Sequence, residues 1–315
     1  MRKIITVGFL LGMMVFIPSL CFAQAKVGTA GAQFLEIGVS ARAVGMGEAF
    51  LGVADDASAL YYNPAGITQL SRREILLTHI DYPADINYEF VGIVYPAPQW
   101  GGVWGLGFYF LNSGDIPLTT YLASGVDEPS FSGINFSAKD YALAFTYARN
   151  LTDRFSIGLT FKFLDELFEE ERATGWGMDV GTLYHTGFKG FKIAMVLSNF
   201  GPDMKFIQEE YPLPMSFKFG ASMEVFNQNA HKAIFNLEGH HPNDNLEKYN
   251  SGIEYWYKDL LALRVGHKFE YDAGNLSLGA GLKLPLGNYS LKADYGYFKF
   301  GFLDNVHRFS LGLAF

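Results

Sequence analysis

The chain has 315 residues, 49% hydrophobic, 16% aromatic and only 18% charged, with 35 glycines, one cysteine and a formal net charge of −8. A soluble domain usually carries about 25% charge, so the composition points away from an ordinary soluble fold. An acidic chain without basic clusters excludes a nucleic-acid-binding role, and a single cysteine excludes a disulfide framework.

Residues 1–23 have the anatomy of a secretory signal: Arg2 and Lys3, an apolar run over residues 4–17, then Pro18 and a small residue, Ala23, at the end. Gln24 is the expected mature start. Cleavage there removes Cys21, Arg2 and Lys3, moving the net charge from −8 to −10. Leu20 is bulky where a lipidated cysteine would follow a small residue, so lipidation is not expected. Beyond the signal no apolar run approaches the ~20 residues a spanning helix needs.

Residues 24–72 are expected to form an N-terminal plug. Within them, residues 42–70 are the long stretch without strand alternation. Arg42 is followed by small residues, Gly45 and Gly47 among them, which let a backbone lie close to a neighbouring wall. Asp55 or Asp56 is placed to cap a short helix over residues 57–62. Asn63-Pro64-Ala65-Gly66 ends it in a turn, because Pro64 fixes φ, the preceding residue is pushed out of the α region, and Gly66 is free to take a positive φ.

From residue 73 to 315 the sequence breaks into segments of alternating character. Phe155, Ile157, Leu159, Phe161 and Phe163 oppose Ser156, Gly158, Thr160 and Lys162, and Leu276, Leu278, Leu282 and Leu284 oppose Ser277, Gly279, Gly281 and Lys283. Successive side chains of a strand point to opposite faces, so each segment has an oily wall and a polar, small-residue wall. A lipid-facing barrel with a polar lumen fits that better than a soluble sandwich. About fourteen segments are expected, near 73–82, 86–96, 101–111, 139–149, 154–164, 175–186, 189–199, 214–226, 231–240, 247–258, 260–269, 274–285, 288–299 and 305–315. Connections after the even segments are tight, whereas those after the odd ones include residues 112–138, an acidic stretch at 165–173, and 201–213. Short turns on one side and longer loops on the other describe an all-β transmembrane antiparallel barrel inserted from the periplasm, with the plug entering from the periplasmic side. The last segment sets Phe309, Leu311, Leu313 and Phe315 outward. It resembles the C-terminal strand by which outer-membrane barrels are recognised by their assembly machinery.

Residues 41–47 (ARAVGMG), 54–58 (ADDAS) and 63–66 (NPAG), with 147–155 (YARNLTDRF), 179–184 (DVGTLY), 197–201 (LSNFG) and 241–245 (HPNDN), resemble the PorV/PorQ family of outer-membrane proteins, within the wider superfamily of the fatty-acid transporter FadL. The resemblance covers nearly the whole mature chain. It implies a fourteen-stranded barrel with an N-terminal segment inside. For the PorV branch it implies a part in type IX secretion, binding exported cargo proteins and delivering them to a surface-attachment complex.

The polar faces carry Lys162, Lys192, Lys218, Lys232, Arg264, Lys268, Lys283, Lys292 and Arg308, with Glu224, Glu238, Glu254 and Asp294 as partial partners. Either they form a basic channel or a site for an anionic head group, or they pair with lumen acids and with the plug residues Glu48, Asp55 and Asp56. The second is favoured, because buried charges are tolerated only when paired. The acidic stretch, with Asp165, Glu166, Glu169, Glu170 and Glu171, reads as solvated loop charge more readily than as a divalent-cation site. His240 and His241 beside Pro242 read as part of a turn rather than a metal site. No G-x-S-x-G elbow or matched Ser/His/carboxylate set stands out, so no enzyme and no cofactor is expected. Two functions follow: a component of protein secretion or surface attachment, or a FadL-like passage for hydrophobic solutes whose glycine-rich third strand (Gly101, Gly102, Gly105, Gly107) bends to open the wall. The expected surroundings are outer-membrane lipid and lipopolysaccharide, and the expected state is a monomeric barrel.

Overall fold

The computed structural model of the chain describes residues 27–120, 130–301 and 303–315; the expected signal segment, 1–23, lies outside the described residues. The strands are β1 (Glu74–Tyr82), β2 (Ile86–Ala97), β3 (Gly102–Asn112), β4 (Ile116–Thr120), β5 (Ser130–Phe136), β6 (Ala138–Asn150), β7 (Phe155–Phe168), β8 (Glu171–His185), β9 (Lys192–Phe200), β10 (Met204–Phe206), β11 (Glu209–Tyr211), β12 (Ser216–Gln228), β13 (His231–Pro242), β14 (Lys248–Tyr257), β15 (Leu261–Phe269), β16 (Leu276–Leu286), β17 (Tyr289–Phe298) and β18 (Val306–Ala314). All but β4, β5, β10 and β11 join one closed antiparallel barrel of fourteen strands. The seam pairs β1 with β18 from Glu74↔Ala314 to Asp81↔His307. Closure is what a hydrocarbon surround demands, since an open edge would leave backbone donors and acceptors unsatisfied at several kcal/mol each.

The alternation determines which way each residue points. Phe145, Phe161, Phe163, Phe219, Leu237, Leu263, Phe309, Leu311, Leu313 and Phe315 are exposed on the outer wall, and their inward neighbours are small or polar. An uninterrupted apolar belt of this kind is costly in water and favourable against lipid. No helix among the described residues is long and apolar enough to cross a membrane.

Three expected loops turn out to be structured. Residues 165–173 are not a loop: β7 and β8 pair out to Phe168↔Glu171, so Glu169 and Glu170 alone make the turn. Asp165 is buried there and paired with Arg172. Residues 112–138 contain the β4–β5 hairpin, and residues 201–213 contain β10–β11. His240 and His241 sit in β13 rather than in a turn: His241 pairs outside with Glu247 at 3.2 Å, and His240 points inward. In each case strand pairing satisfies backbone groups that polar composition alone would assign to solvent.

The plug follows an unexpected path. Gly31 donates its N–H to Pro212 O at 2.9 Å, and Gln33 Nε2 donates to Asp244 Oδ2 at 2.9 Å, both at the end of the barrel opposite Glu74. Because the shorter connections mark the periplasmic end, the described chain begins at the outer mouth, not on the periplasmic side. It then descends through the lumen. The helix Ala41–Gly45 packs on β16 and β17, the helix Ala59–Tyr62 lies near β3, and the 3₁₀ turn Pro64–Gln69 rests on β6, β7 and β8 before β1 begins.

Neither aspartate caps the helix as expected. Ser58 holds the cap position, and Asp56 Oδ1 instead accepts from the Ser58 N–H at 3.0 Å, closing a local turn that delays the helix to Ala59. Asn63 ends that helix and caps the next turn, accepting from the Ala65 N–H at 3.1 Å. Gly66 does not use a positive φ. It is small because the Ala54 carbonyl presses on the place a Cβ would fill.

The plug is clasped by wall residues without side chains. A Cβ on Gly266 would collide with the backbone of Met46 and Gly47, and one on Gly158 with the backbone of Pro64 and Ala65. Gly47 itself has φ +63°, which an L side chain adopts rarely. Gly266→Val is therefore expected to destabilise the plugged barrel by more than the ~1–3 kcal/mol typical of overpacking, read as a lower urea midpoint and a smaller fraction of heat-modifiable, fast-migrating barrel in unboiled gel samples.

Candidate functional site

Three ionic clusters join plug to wall. In the first, Arg42 makes a bidentate contact with Glu254 of β14, Nε to Oε1 and Nη2 to Oε2 both at 2.8 Å, and its Nη1 donates to Asp55 Oδ1 at 2.5 Å and Asp56 Oδ2 at 2.9 Å. Arg264 of β15 flanks the same Glu254 at 2.8 Å and takes Asp294 Oδ1 at 2.6 Å. In the second, Glu48 lies between Lys268 (2.8 Å) and Arg308 (3.1 Å), and Arg308 also donates to Gly38 O at 2.6 Å. In the third, Glu74 holds Lys292 at 2.7 Å and accepts from the Ala57 N–H at 3.0 Å. Two further wall groups reach the plug: Glu238 accepts from the N–H groups of Phe50 and Leu51, and Lys192 donates to Gln69 Oε1.

This is the pairing role expected of the lumen charges, with two changes of partner. Asp55 and Asp56 do not pair with wall cations; they close on Arg42 within the plug, and Arg42 is what reaches the wall. A planar guanidinium matches several carboxylates at once, which a lysine ammonium does not. Lys162 pairs inside the wall, with Asp179 at 2.8 Å. Glu224 and Lys232 form a looser, partly exposed pair at 3.4 Å. Lys218 and Lys283 make no ion pair among the described residues.

Glu74, Asp179 and Asn199 were missed in the sequence. Glu74 is buried at the foot of β1, one strand residue beyond the plug, and that adjacency was the signal available. Asp179 and Asn199 had none, since they meet only through an irregularity. The β8–β9 register shifts between Met178 and Val180, Asn199 takes φ 58°, and its N–H donates to Asp179 Oδ1 at 2.8 Å. The third strand, by contrast, pairs unbroken with β2 and β6 from residue 103 to 112, without the expected bend. Gly105 and Gly107 serve the interior, facing Leu60 and Tyr109, whereas Gly102 meets Tyr147 and Gly101 takes φ +77° in the turn before β3.

Above the plug, toward the outer mouth, a cavity of about 180 Å³ remains. Leu35 and Glu36 lie over it, and its wall sets aromatic rings beside cations: Lys218 lies 5.7 Å from the Tyr61 ring, Lys248 5.1 Å from Tyr271 and Lys268 4.7 Å from Phe298. Nε2 of His240 points into this region with no hydrogen-bond partner among the described residues. Burial, reinforced by nearby Asp244, pushes the Glu36 carboxyl above its ordinary range. Among the described residues no His, Cys, Asp and Glu side chains gather into a metal-binding group.

Removing a partner from a buried ion cluster leaves uncompensated charge, at roughly 3–5 kcal/mol. Arg42→Met strands Asp55 and Asp56 and is expected to cost that much in urea unfolding, and to expose the plug to protease in otherwise closed barrels.

No protein-family model matches the chain, and no curated protein matches it. Solved structures do. A FadL homologue from Pseudomonas aeruginosa is 10% identical with a TM-score of 0.58, covering 88% of this chain and 98% of that one. The CymD monoaromatic hydrocarbon channel is 13% identical with a TM-score of 0.57, over 88% and 96% of the two chains. The Pseudomonas putida toluene transporter TodX is 11% identical with a TM-score of 0.52, over 85% and 96%. At such identities the likeness concerns the fold: this chain is a closed fourteen-stranded barrel built like the FadL-like outer-membrane barrels.

Proposed function

We propose that the protein is an outer-membrane channel for hydrophobic or amphipathic solutes. The outer cavity carries this reading. It places Tyr61, Tyr271 and Phe298 against the apolar body of a solute and Lys218, Lys248 and His240 against its polar end, at the outer mouth of the barrel above the packed plug. Removing apolar surface from water contributes roughly 25 cal/mol per Å², and a charge-assisted contact fixes the head group. The outward apolar belt and the fold shared with hydrocarbon channels support the same location and task. This favours solute passage over the protein-secretion role.

The PorV/PorQ resemblance supports a second reading, a docking component for exported proteins. The β4–β5 hairpin favours it, as an outer projection well beyond what a closed barrel requires.

For the channel, dodecanoate is expected to bind the purified barrel in nonionic detergent, and Lys218→Gln with Lys248→Gln to weaken binding by about tenfold, the loss expected for a charged hydrogen bond. Calorimetry measures both; no saturable binding by the intact barrel would sink the reading. Deleting the gene separates the two functions: altered uptake of hydrophobic solutes supports the channel, and a changed surface proteome with normal uptake supports docking.

A further inference from the structure

The plug divides the lumen, and a second cavity, of about 140 Å³, opens on its periplasmic side. Water occupies about 30 Å³ per molecule in the liquid, so this space fits a small solute group together with some of its hydration. It is walled by β13 to β17 and by plug residues Arg42 and Asp55, and shares no lining residue with the outer cavity.

Its charges are unusual. Lys283 of β16 and Lys292 of β17 are direct cross-strand partners, an arrangement that is destabilising when nothing lies between the charges. Lys292 is answered by Glu74, but Lys283 has no ion pair among the described residues. Lys232 faces the same space with only its loose 3.4 Å contact to Glu224. Arg264, whose side chain is fully buried, lines the cavity with Nη2 lacking any hydrogen-bond partner among the described residues. Among the described residues none of the lining acids pairs with Lys283. Asp55 and Asp294 are engaged by Arg42 and Arg264, and Asp259 is exposed in the β14–β15 turn. Trp256, stacked beneath the Arg264 guanidinium at 5.6 Å, and Leu282 supply an apolar flank.

We infer that this periplasmic cavity is an anion-binding site for a carboxylate or phosphate oxyanion, held by Lys283 and Lys232. An oxyanion there relieves the Lys283–Lys292 opposition and gives Lys283 a charged partner. The site is argued from its own residues and does not depend on what enters the outer cavity.

The test titrates inorganic phosphate and, separately, butyrate into the intact barrel in nonionic detergent by calorimetry. Saturable binding is expected for at least one, weakened about tenfold by Lys283→Gln and by Lys232→Gln, retained in Lys283→Arg and unchanged in Lys258→Gln, an exposed lysine outside the cavity. Heat-modifiable migration of each variant confirms that it is folded. If butyrate binding that Lys283→Gln weakens tightens when the acid is lengthened to octanoate, the anion is a head group seated against Trp256; if phosphate alone shows binding that Lys283→Gln weakens, it is a free ion, and either result supports the site. Absence of saturable binding by both probes, or binding indifferent to Lys283→Gln and Lys232→Gln, overturns it. Because Lys283 and Lys232 lie outside the outer cavity, only binding that these variants weaken reports on this site, and failure here leaves the dodecanoate experiment unaffected.

Discussion

Most charges inside this barrel meet an opposite charge there, and Arg42 is where that pairing is concentrated. Two plug carboxylates and one wall carboxylate converge on one guanidinium, and Arg264 holds the wall carboxylate from its other side. The cluster crosses from plug to β14, β15 and β17, so register in those strands, the position of the helix Ala41–Gly45 and the closing turn at Asp55-Asp56 are mutually dependent. Bidentate geometry matters here, because it constrains orientation as well as distance. The glycine contacts then act as the complement of the ion pairs: they let the plug backbone come close enough for short side chains to reach across.

That architecture leaves two separate spaces with different chemistry. Toward the outer mouth, rings and lysines alternate around a cavity suited to an amphipathic body. Toward the periplasm, Lys283 stands without an ion pair among the described residues beside a smaller one. Between them the lumen is filled by apolar plug residues such as Phe50, Leu60 and Tyr62, packed against Tyr88, Phe90 and Tyr109 from the wall. On the channel reading proposed above, a solute moving from one space to the other would cross this apolar packing, which would exclude ions more strongly than apolar groups.

Much of the barrel was legible from the sequence because a strand has a period of two, and lipid on one face leaves little ambiguity about which residues point out. The fourteen segments, the outward Phe309, Leu311, Leu313 and Phe315, and the inward cations all follow from that periodicity. Pairing between Glu48 and the wall was legible too, since a buried cation calls for an acid and the plug was the remaining source. What was not legible depended on three-dimensional accidents of register. Arg42 reaching Glu254 requires knowing which strand stands opposite the plug helix. Asp179 and Asn199 meet only because β9 departs from regular pairing, and nothing in their types announces it. In the acidic stretch at 165–171, Glu169, Glu170 and Glu171 are exposed as their charge suggested, but strand pairing continues through to Phe168↔Glu171 and buries Asp165.

The path of the leader through the lumen bears on how the molecule is assembled. Residue 31 is tied to the outer rim while residue 74 starts the first strand at the opposite rim, so the chain passes through a ring that its own later residues complete. The plug thus spans the lumen from rim to rim, with Arg42 and Glu48 clamped midway, and the β1–β18 seam joins the two ends of the strand series around it. Opening that seam would uncover the plug along its length, so wall closure and plug retention are one property of the molecule.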